Sequence, residues 1–257
     1  MKNSLFKIYS YESLESTNIT ARELAIGGAG HGTIVLANSQ TAGRGRFGRS
    51  FFSPKGGIYM SMILQKSNLQ NPDLVTVFAA VCVCEAIEKL TNKKPQIKWV
   101  NDILLENKKI CGISCEILPD LSVIEPAQKL ILGIGVNFTA FDLPDDIKQS
   151  AGSLFAFNET PNITKDQLIS EIASGILSDQ HDIIQKYRQR LMLLGRRVIV
   201  YGNDEPFEAD VLDINDMGHL IVRIAHIDHM SQLDQIDNLD QVNIRILSSG
   251  DVRVRLD

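Results

Sequence analysis

Two short stretches concentrate the groups that could handle anionic chemistry. The first, TAGRGRFGRSFFSP at positions 41–54, sets Arg44, Arg46 and Arg49 among Gly43, Gly45 and Gly48 and closes on Phe51, Phe52 and Pro54. Glycine lets backbone amides approach an anion closely and permits positive φ, while arginine offers a planar donor fork that fits phosphate or carboxylate. The second, IKWVNDILLENKKICGI at 97–113, gathers Lys98, Asn101, Asp102 and Lys109 around one hairpin. Two sets of positive and polar groups that can meet suit a polyphosphate. Lys98 and Lys108, taken singly, read as solvated. The arginine loop alone also permits a plain surface loop or an RNA-binding Arg-Gly segment, although such segments come as repeats in basic, low-complexity surroundings and this is a single copy.

Composition narrows the field. The 257 residues carry 26 Lys plus Arg against 31 Asp plus Glu, a formal charge of -5, so a general nucleic-acid surface is not expected and the arginines act locally. With 44% apolar and 22% charged residues the chain has ordinary globular usage and should fold alone. The amino-terminal stretch has no long apolar run, and nothing approaches the roughly 18 apolar residues of a spanning helix, so a cytoplasmic setting without membrane contact is expected. Cys82, Cys84, Cys111 and Cys115 fall in apolar runs and read as core, since C-x-C and C-x3-C here lack zinc-knuckle flanks. His226 and His229, in a polar acidic stretch with no third ligand in sight, read as part of a solvated loop. No metal site is expected.

These groups need elements to position them. Ser16, Thr17 or Asn18 can cap a helix that runs through Ala21, Leu24 and Ala25 until Gly27 and Gly28 end it. TIVLANS and GGIYMSMIL read as strands on either side of the arginine loop, which therefore joins two strands of one sheet. Asn71-Pro72-Asp73 opens a helix that is apolar almost all round and hence buried. PQIKWVNDILLENKKICGISCEIL reads as strand, tight turn at 106–108 and strand, followed by a strand in KLILGIGVNF. Residues 162–194 fit one or two amphipathic helices ending at Gly195, and from about 195 onward short strands and turns predict a small all-β barrel, interrupted by an acidic insertion at 227–241. The fold class expected is α+β: a mixed sheet flanked by helices, then the barrel.

The order and separation of ESTN, QTAGRGRFGRSFFSP, IYMSM, IKWVNDILL, KKICGI, GIGVN and GDVRVR resemble the biotin protein ligases, from about residue 9 to residue 255. The resemblance implies a catalytic domain over 1–194, of the class II aminoacyl-tRNA synthetase and biotinyl/lipoyl ligase kind, and an SH3-like barrel over 195–257. It implies a ligase that activates biotin with ATP as biotinyl-5'-AMP and passes it to a lysine of a biotin carboxyl carrier protein or domain, with Mg2+ accompanying the polyphosphate. Carried over, Arg44, Arg46 and the amide of Gly45 hold carboxylate and phosphate, Lys109 bridges both, and Asp102 helps the incoming amine lose its proton. Ser16, Thr17, Asn18 and Gln40 fall at the biotin pocket, Phe51 walls the adenylate, and Asn101 and Asn137 complete the binding set. About 15 residues precede the Ser-Thr-Asn motif, so the helix-turn-helix of some members is not expected, and a monomer or weak homodimer is.

The sequence departs from the family in having Val100 where proline is usual, Phe51 where tryptophan is usual, and the insertion at 227–241. A lipoate or octanoate ligase is the nearest rival and the Arg-Gly-Arg loop argues against it. A nucleic-acid-binding protein is the rival from another class.

Overall fold

The computed structural model describes residues 6–69, 71–118, 128–178, 181–201, 205–224, 243–248 and 251–254, with residues 47 and 251–254 described by backbone only. His226, His229, the insertion at 227–241 and the turn at 202–204 lie outside the described residues.

In chain order the elements are β1 (Lys7–Tyr11), α1 (Thr17–Ile26), β2 (Thr33–Ala37), β3 (Ile58–Gln65), α2 (Val75–Thr91), β4 (Gln96–Lys98), β5 (Asp102–Leu105), β6 (Lys108–Ile117), β7 (Lys129–Val136), α3 (Lys165–Ile176) and α4 (Ile183–Arg190). Then come β8 (Arg197–Tyr201), β9 (Phe207–Ile214), β10 (Leu220–Ile224), β11 (Ile244–Leu247) and β12 (Asp251–Val254). The first seven strands form one sheet in the order β1-β2-β3-β7-β6-β5-β4, with β1 and β2 parallel and the remaining pairs antiparallel. The sheet is therefore mixed, with the arginine loop joining the paired strands β2 and β3.

Alternation along the central strands divides the residues between two faces. Met60, Met62 and Leu64 of β3 and Leu130, Leu132 and Ile134 of β7 share one buried apolar cluster with Ala79, Val83 and Ile87 of α2 and with Leu168 and Ile172 of α3. Each of the Leu, Ile, Val and Met side chains among them contributes about 1.5–3 kcal/mol by leaving water. On the opposite face Val35, Ile63 and Ile131 meet Ala21 and Ala25 of α1, whose small side chains let the helix lie close to the strands. Asn92, in the left-handed region at φ 60°, ends α2, and Thr164 with Gln167 forms a capping box at the start of α3. Among the described residues no helix is long and apolar enough to cross a membrane.

Several expectations are corrected. The strand read across 95–105 is two strands, because the chain reverses at Trp99 to Asn101 and Lys98 pairs with Asp102. Ile97 and Ile103 face the same core on either side of that reversal, so apolar alternation alone does not reveal it. The tight turn that follows is the one expected: Glu106 and Asn107 both have positive φ, at 51° and 62°. Ser16 occupies the first cap position of α1 with extended backbone, yet its side chain makes no capping bond. The last amphipathic helix ends at Arg190, before Gly195, which takes φ 71° in the turn leading to β8. The carboxy-terminal strands form a five-stranded antiparallel sheet in the order β11-β10-β9-β8-β12, and among the described residues its outer strands do not pair to close a barrel.

This second sheet is joined to the first through the β4-β5 hairpin. The Trp99 indole donates to Gly218 O at 2.9 Å, and the Tyr187 hydroxyl donates to Val100 O at 3.0 Å. Arg188 of α4 donates to Asp213 Oδ1 at 2.7 Å, and the apolar cluster runs without a break into Val198, Val211 and Leu220. The segment carrying Lys98, Asn101 and Asp102 is thus clamped from the side of the second sheet.

Candidate active site

The floor of the site is made by missing side chains. On the face that carries α1, Gly112 of β6 stands opposite Gly135 of β7, and Ser114 stands opposite Gly133. Tyr59 and Ser61 of β3 pair with the same two glycines from the other side. A Cβ on Gly135 would lie 2.5 Å from Cε1 and 2.8 Å from Cζ of Phe51, and one on Gly112 would lie 3.0 Å from Cε2 of the same ring. One on Gly133 would run into Asn18 Oδ1 and come within 2.7 Å of Ser114 Oγ. Each glycine is therefore a place where another side chain crosses the sheet.

A cavity of about 150 Å³ opens above this floor, and every candidate read from the sequence lines it except Asn137. Asn137 is buried below, its amide donating to Gly152 O at 2.7 Å and so tying the end of β7 to the segment beyond it. Lys98, read as solvated, also forms part of the wall, whereas Lys108 is exposed.

At the cationic end, Lys109 Nζ lies 2.7 Å from Asp102 Oδ1 and 5.9 Å from the centre of the Phe51 ring. Strict alternation would send Lys109 to the same face as Cys111 and Ile113, which are buried in the core. The register slips between Ile103 and Leu104, so that Ile103 faces Cys111 while Leu104 faces Lys109. This bulge re-aims Lys109 toward the site. Arg46 donates to Asn101 Oδ1 at 3.1 Å, and Asn101 donates to Ile113 O at 2.7 Å. Burial lowers the pKa of Arg46 from its ordinary value, with the Asp102 carboxylate opposing the shift. Arg44 lies farther out, 3.6 Å from Glu15, with both side chains exposed.

The loop itself is held by its own backbone: Gly45 N donates to Arg49 O at 2.7 Å and Phe51 N donates to Gly43 O at 2.8 Å. Of its three glycines only Gly48 takes positive φ, at 72°. Gly43 is needed for close approach, since a Cβ there would stand 2.5 Å from both Phe51 O and Ser53 Oγ.

The polar end is a connected network. Gln40 Oε1 accepts from Thr17 N at 2.8 Å and from Thr17 Oγ1 at 3.2 Å, and Gln40 Nε2 donates to Ser53 Oγ at 2.9 Å. Ser61 Oγ donates to Asn18 Oδ1 at 2.6 Å, Asn18 Nδ2 donates to Glu116 Oε1 at 2.8 Å, and Arg22 pairs with Glu116. Ser61, Ser114, Glu116 and Arg22 were missed in the sequence. The signal was present in CGISCEI, where Gly112, Ser114 and Glu116 recur every second residue and so share the glycine face. Thus one cavity offers paired hydrogen-bonding groups for a neutral polar head at one end and cations for an acid and a phosphate at the other.

The mixed sheet, with its arginine loop over a glycine floor, has counterparts among known proteins. Residues 10–137 match the model of the Biotin/lipoate A/B protein ligase family, and the chain belongs to that family. It is similar to the Bifunctional ligase/repressor BirA of Bacillus subtilis, 41% identical over 148 residues that make up 56% of this chain and 45% of the relative. The chain thus spans about half the length of that curated relative. It is also similar to the Biotin--[acetyl-CoA-carboxylase] ligase of Mycobacterium tuberculosis, 28% identical over 81% of this chain and 80% of the relative. The solved biotin protein ligase from Aquifex aeolicus in complex with biotin and ATP shares the fold, with a TM-score of 0.76 and 23% identity over 98% of this chain and 99% of that one.

Proposed function

We propose that the chain is an ATP-dependent biotin protein ligase: it activates biotin as biotinyl-5'-AMP with release of pyrophosphate, then transfers the biotinyl group to a lysine of a biotin carboxyl carrier protein or domain. The observation that carries this reading is the single cavity in which the Thr17, Asn18 and Gln40 network faces Arg46 and Lys109 across Phe51. The names of the Mycobacterium and Aquifex relatives support biotin, ATP and a carboxylase carrier as the substrates.

In the first step the biotin carboxylate attacks the α-phosphorus and pyrophosphate leaves. A carboxylate is already a nucleophile near neutral pH, so the protein needs only to align the two anions and neutralise charge as it develops. Arg44, Arg46 and Lys109 supply the charge; Asn101 orients Arg46, and Lys109 exchanges its Asp102 partner for the phosphate. In the second step the lysine amine attacks the acyl carbon, AMP leaves, and Asp102, freed from Lys109, takes the amine's proton. The mixed anhydride is labile to water, which gives the loop over it a purpose as a lid. Mg2+ would accompany the polyphosphate and share its charge; among the described residues no three His, Cys, Asp or Glu side chains gather to hold an ion.

Residues 1–194 form the ligase domain in this reading, and 195–257 a small SH3-like domain built on the five-stranded antiparallel sheet. The protein acts in the cytoplasm as a monomer or weak homodimer, without nucleic acid. The test is pyrophosphate release from ATP on addition of biotin, lipoate or octanoate. Stimulation by biotin alone is expected; stimulation by lipoate or octanoate instead would keep the chemistry and overturn the substrate.

A further inference from the structure

Resting on the biotin reading above, we infer that Glu116, held by Arg22, is a positioning residue that sets the donor and acceptor pattern of the biotin pocket through the Asn18 amide. Glu116 does not line the cavity; it lies on the same face of β6, two residues beyond Ser114. Its carboxylate offers only acceptors, so the Asn18 amide must turn Nδ2 toward it, at 2.8 Å, and Oδ1 away. Oδ1 then accepts from Ser61 Oγ at 2.6 Å, which commits the one proton of that hydroxyl.

The rest of the pattern follows from proton counting. With its own proton committed, Ser61 can only accept at its 2.8 Å contact with Thr17 Oγ1. The Thr17 hydroxyl proton is shared between Ser61 Oγ at 2.8 Å and Gln40 Oε1 at 3.2 Å, and Thr17 keeps lone pairs for a ligand. Ser114 Oγ accepts the second Asn18 Nδ2 proton at 3.4 Å, which leaves its own proton for a ligand. The cavity therefore presents an acceptor at Thr17 and a donor at Ser114, complementary to the N–H and C=O groups of a cyclic urea. A free amide could flip and scramble this pattern. The charge-assisted bond to Glu116, itself clamped by Arg22 of α1, holds it in one orientation.

The test is calorimetric titration of the full chain with biotin in the absence of ATP, together with steady-state kinetics and a thermal unfolding check. Glu116→Ala should raise the biotin Kd and KM about tenfold, while kcat at saturating biotin and the KM for ATP stay at wild-type values. Glu116→Gln, whose amide oxygen still accepts from Asn18, should remain within about threefold of wild type. A folded Glu116→Ala that binds biotin as wild type does, or that loses ATP affinity and kcat as much as biotin affinity, overturns the inference. Should Glu116→Ala not fold, Arg22→Ala carries the test: a biotin KM raised about threefold at constant ATP KM supports the inference and an unchanged one overturns it. A wild-type chain that binds no biotin overturns the underlying reading as well, whereas biotin binding with an indifferent Glu116→Ala overturns this inference alone.

Discussion

Gly135→Ala is the sharpest single perturbation of the glycine floor. The added methyl would meet Phe51 Cε1 at 2.5 Å, Cζ at 2.8 Å and Cδ1 at 3.2 Å, so the ring has to move by about 1 Å to reach ordinary van der Waals separation. It has little freedom to do so. The backbone of Phe51 is pinned by its bond to Gly43 O at 2.8 Å, and Tyr59 stands edge-on at 6.4 Å between ring centres. The remaining direction is into the cavity, toward Lys109. Overpacking of this kind costs about 1–3 kcal/mol, and a displacement that falls on the reacting groups reduces biotin-dependent pyrophosphate exchange by roughly 5- to 150-fold. The assay is that exchange at fixed ATP, with thermal unfolding to confirm the fold and a double-mutant cycle with Phe51→Leu. The smaller side chain should recover part of the loss in the Gly135→Ala background, with a coupling of about 1 kcal/mol. Exchange within twofold of wild type in Gly135→Ala, or strictly additive effects, would refute the reasoning.

Three further outcomes are expected. Tyr187→Phe leaves Val100 O without its buried donor and should cost about 1–2 kcal/mol of stability, read as a lower urea midpoint; an unchanged midpoint would show that the clamp on the β4-β5 hairpin does not depend on this bond. His31 Nδ1 accepts from Gln65 N at 3.0 Å, and burial lowers the pKa of His31 from its ordinary value of 6.5. The unfolded chain therefore binds this proton first, and the stability His31 confers is complete above about pH 6.5 and lost as pH falls toward the lower folded-state value. Wild-type urea midpoints should drop more steeply between about pH 7 and pH 5 than those of His31→Gln, and parallel curves would contradict the argument. Asp102→Asn should slow transfer from preformed biotinyl-5'-AMP to a carrier lysine by roughly 100-fold, and transfer at the wild-type rate would remove Asp102 from the second step.

The sequence carried much of this site because its chemistry is local. The arginine loop, the Ser16-Thr17-Asn18 cluster and Lys109 each sit in short motifs whose residue types state what they can bind, and the structure brings them to one cavity. What stayed hidden was set by pairing. The reversal at Trp99 to Asn101 depends on Lys98 meeting Asp102, and the aim of Lys109 depends on a register slip that alternation cannot announce. Gly133 and Gly135 lie inside β7, each where Asn18 or Phe51 crosses the sheet. Glu116 had the spacing of a site-face residue but no motif, and its meaning comes from Asn18, nearly a hundred residues earlier.

The most direct test of the central claim compares wild type with Lys109→Ala for biotin-stimulated pyrophosphate release. In the proposed mechanism Lys109 moves from Asp102, 2.7 Å away, to the reacting phosphate, and removing such a donor costs about 3 kcal/mol of transition-state stabilisation. The expected result is release that depends on biotin in the wild type and falls by at least roughly 100-fold in the variant, with biotin binding retained. Equal release from both proteins would contradict the account.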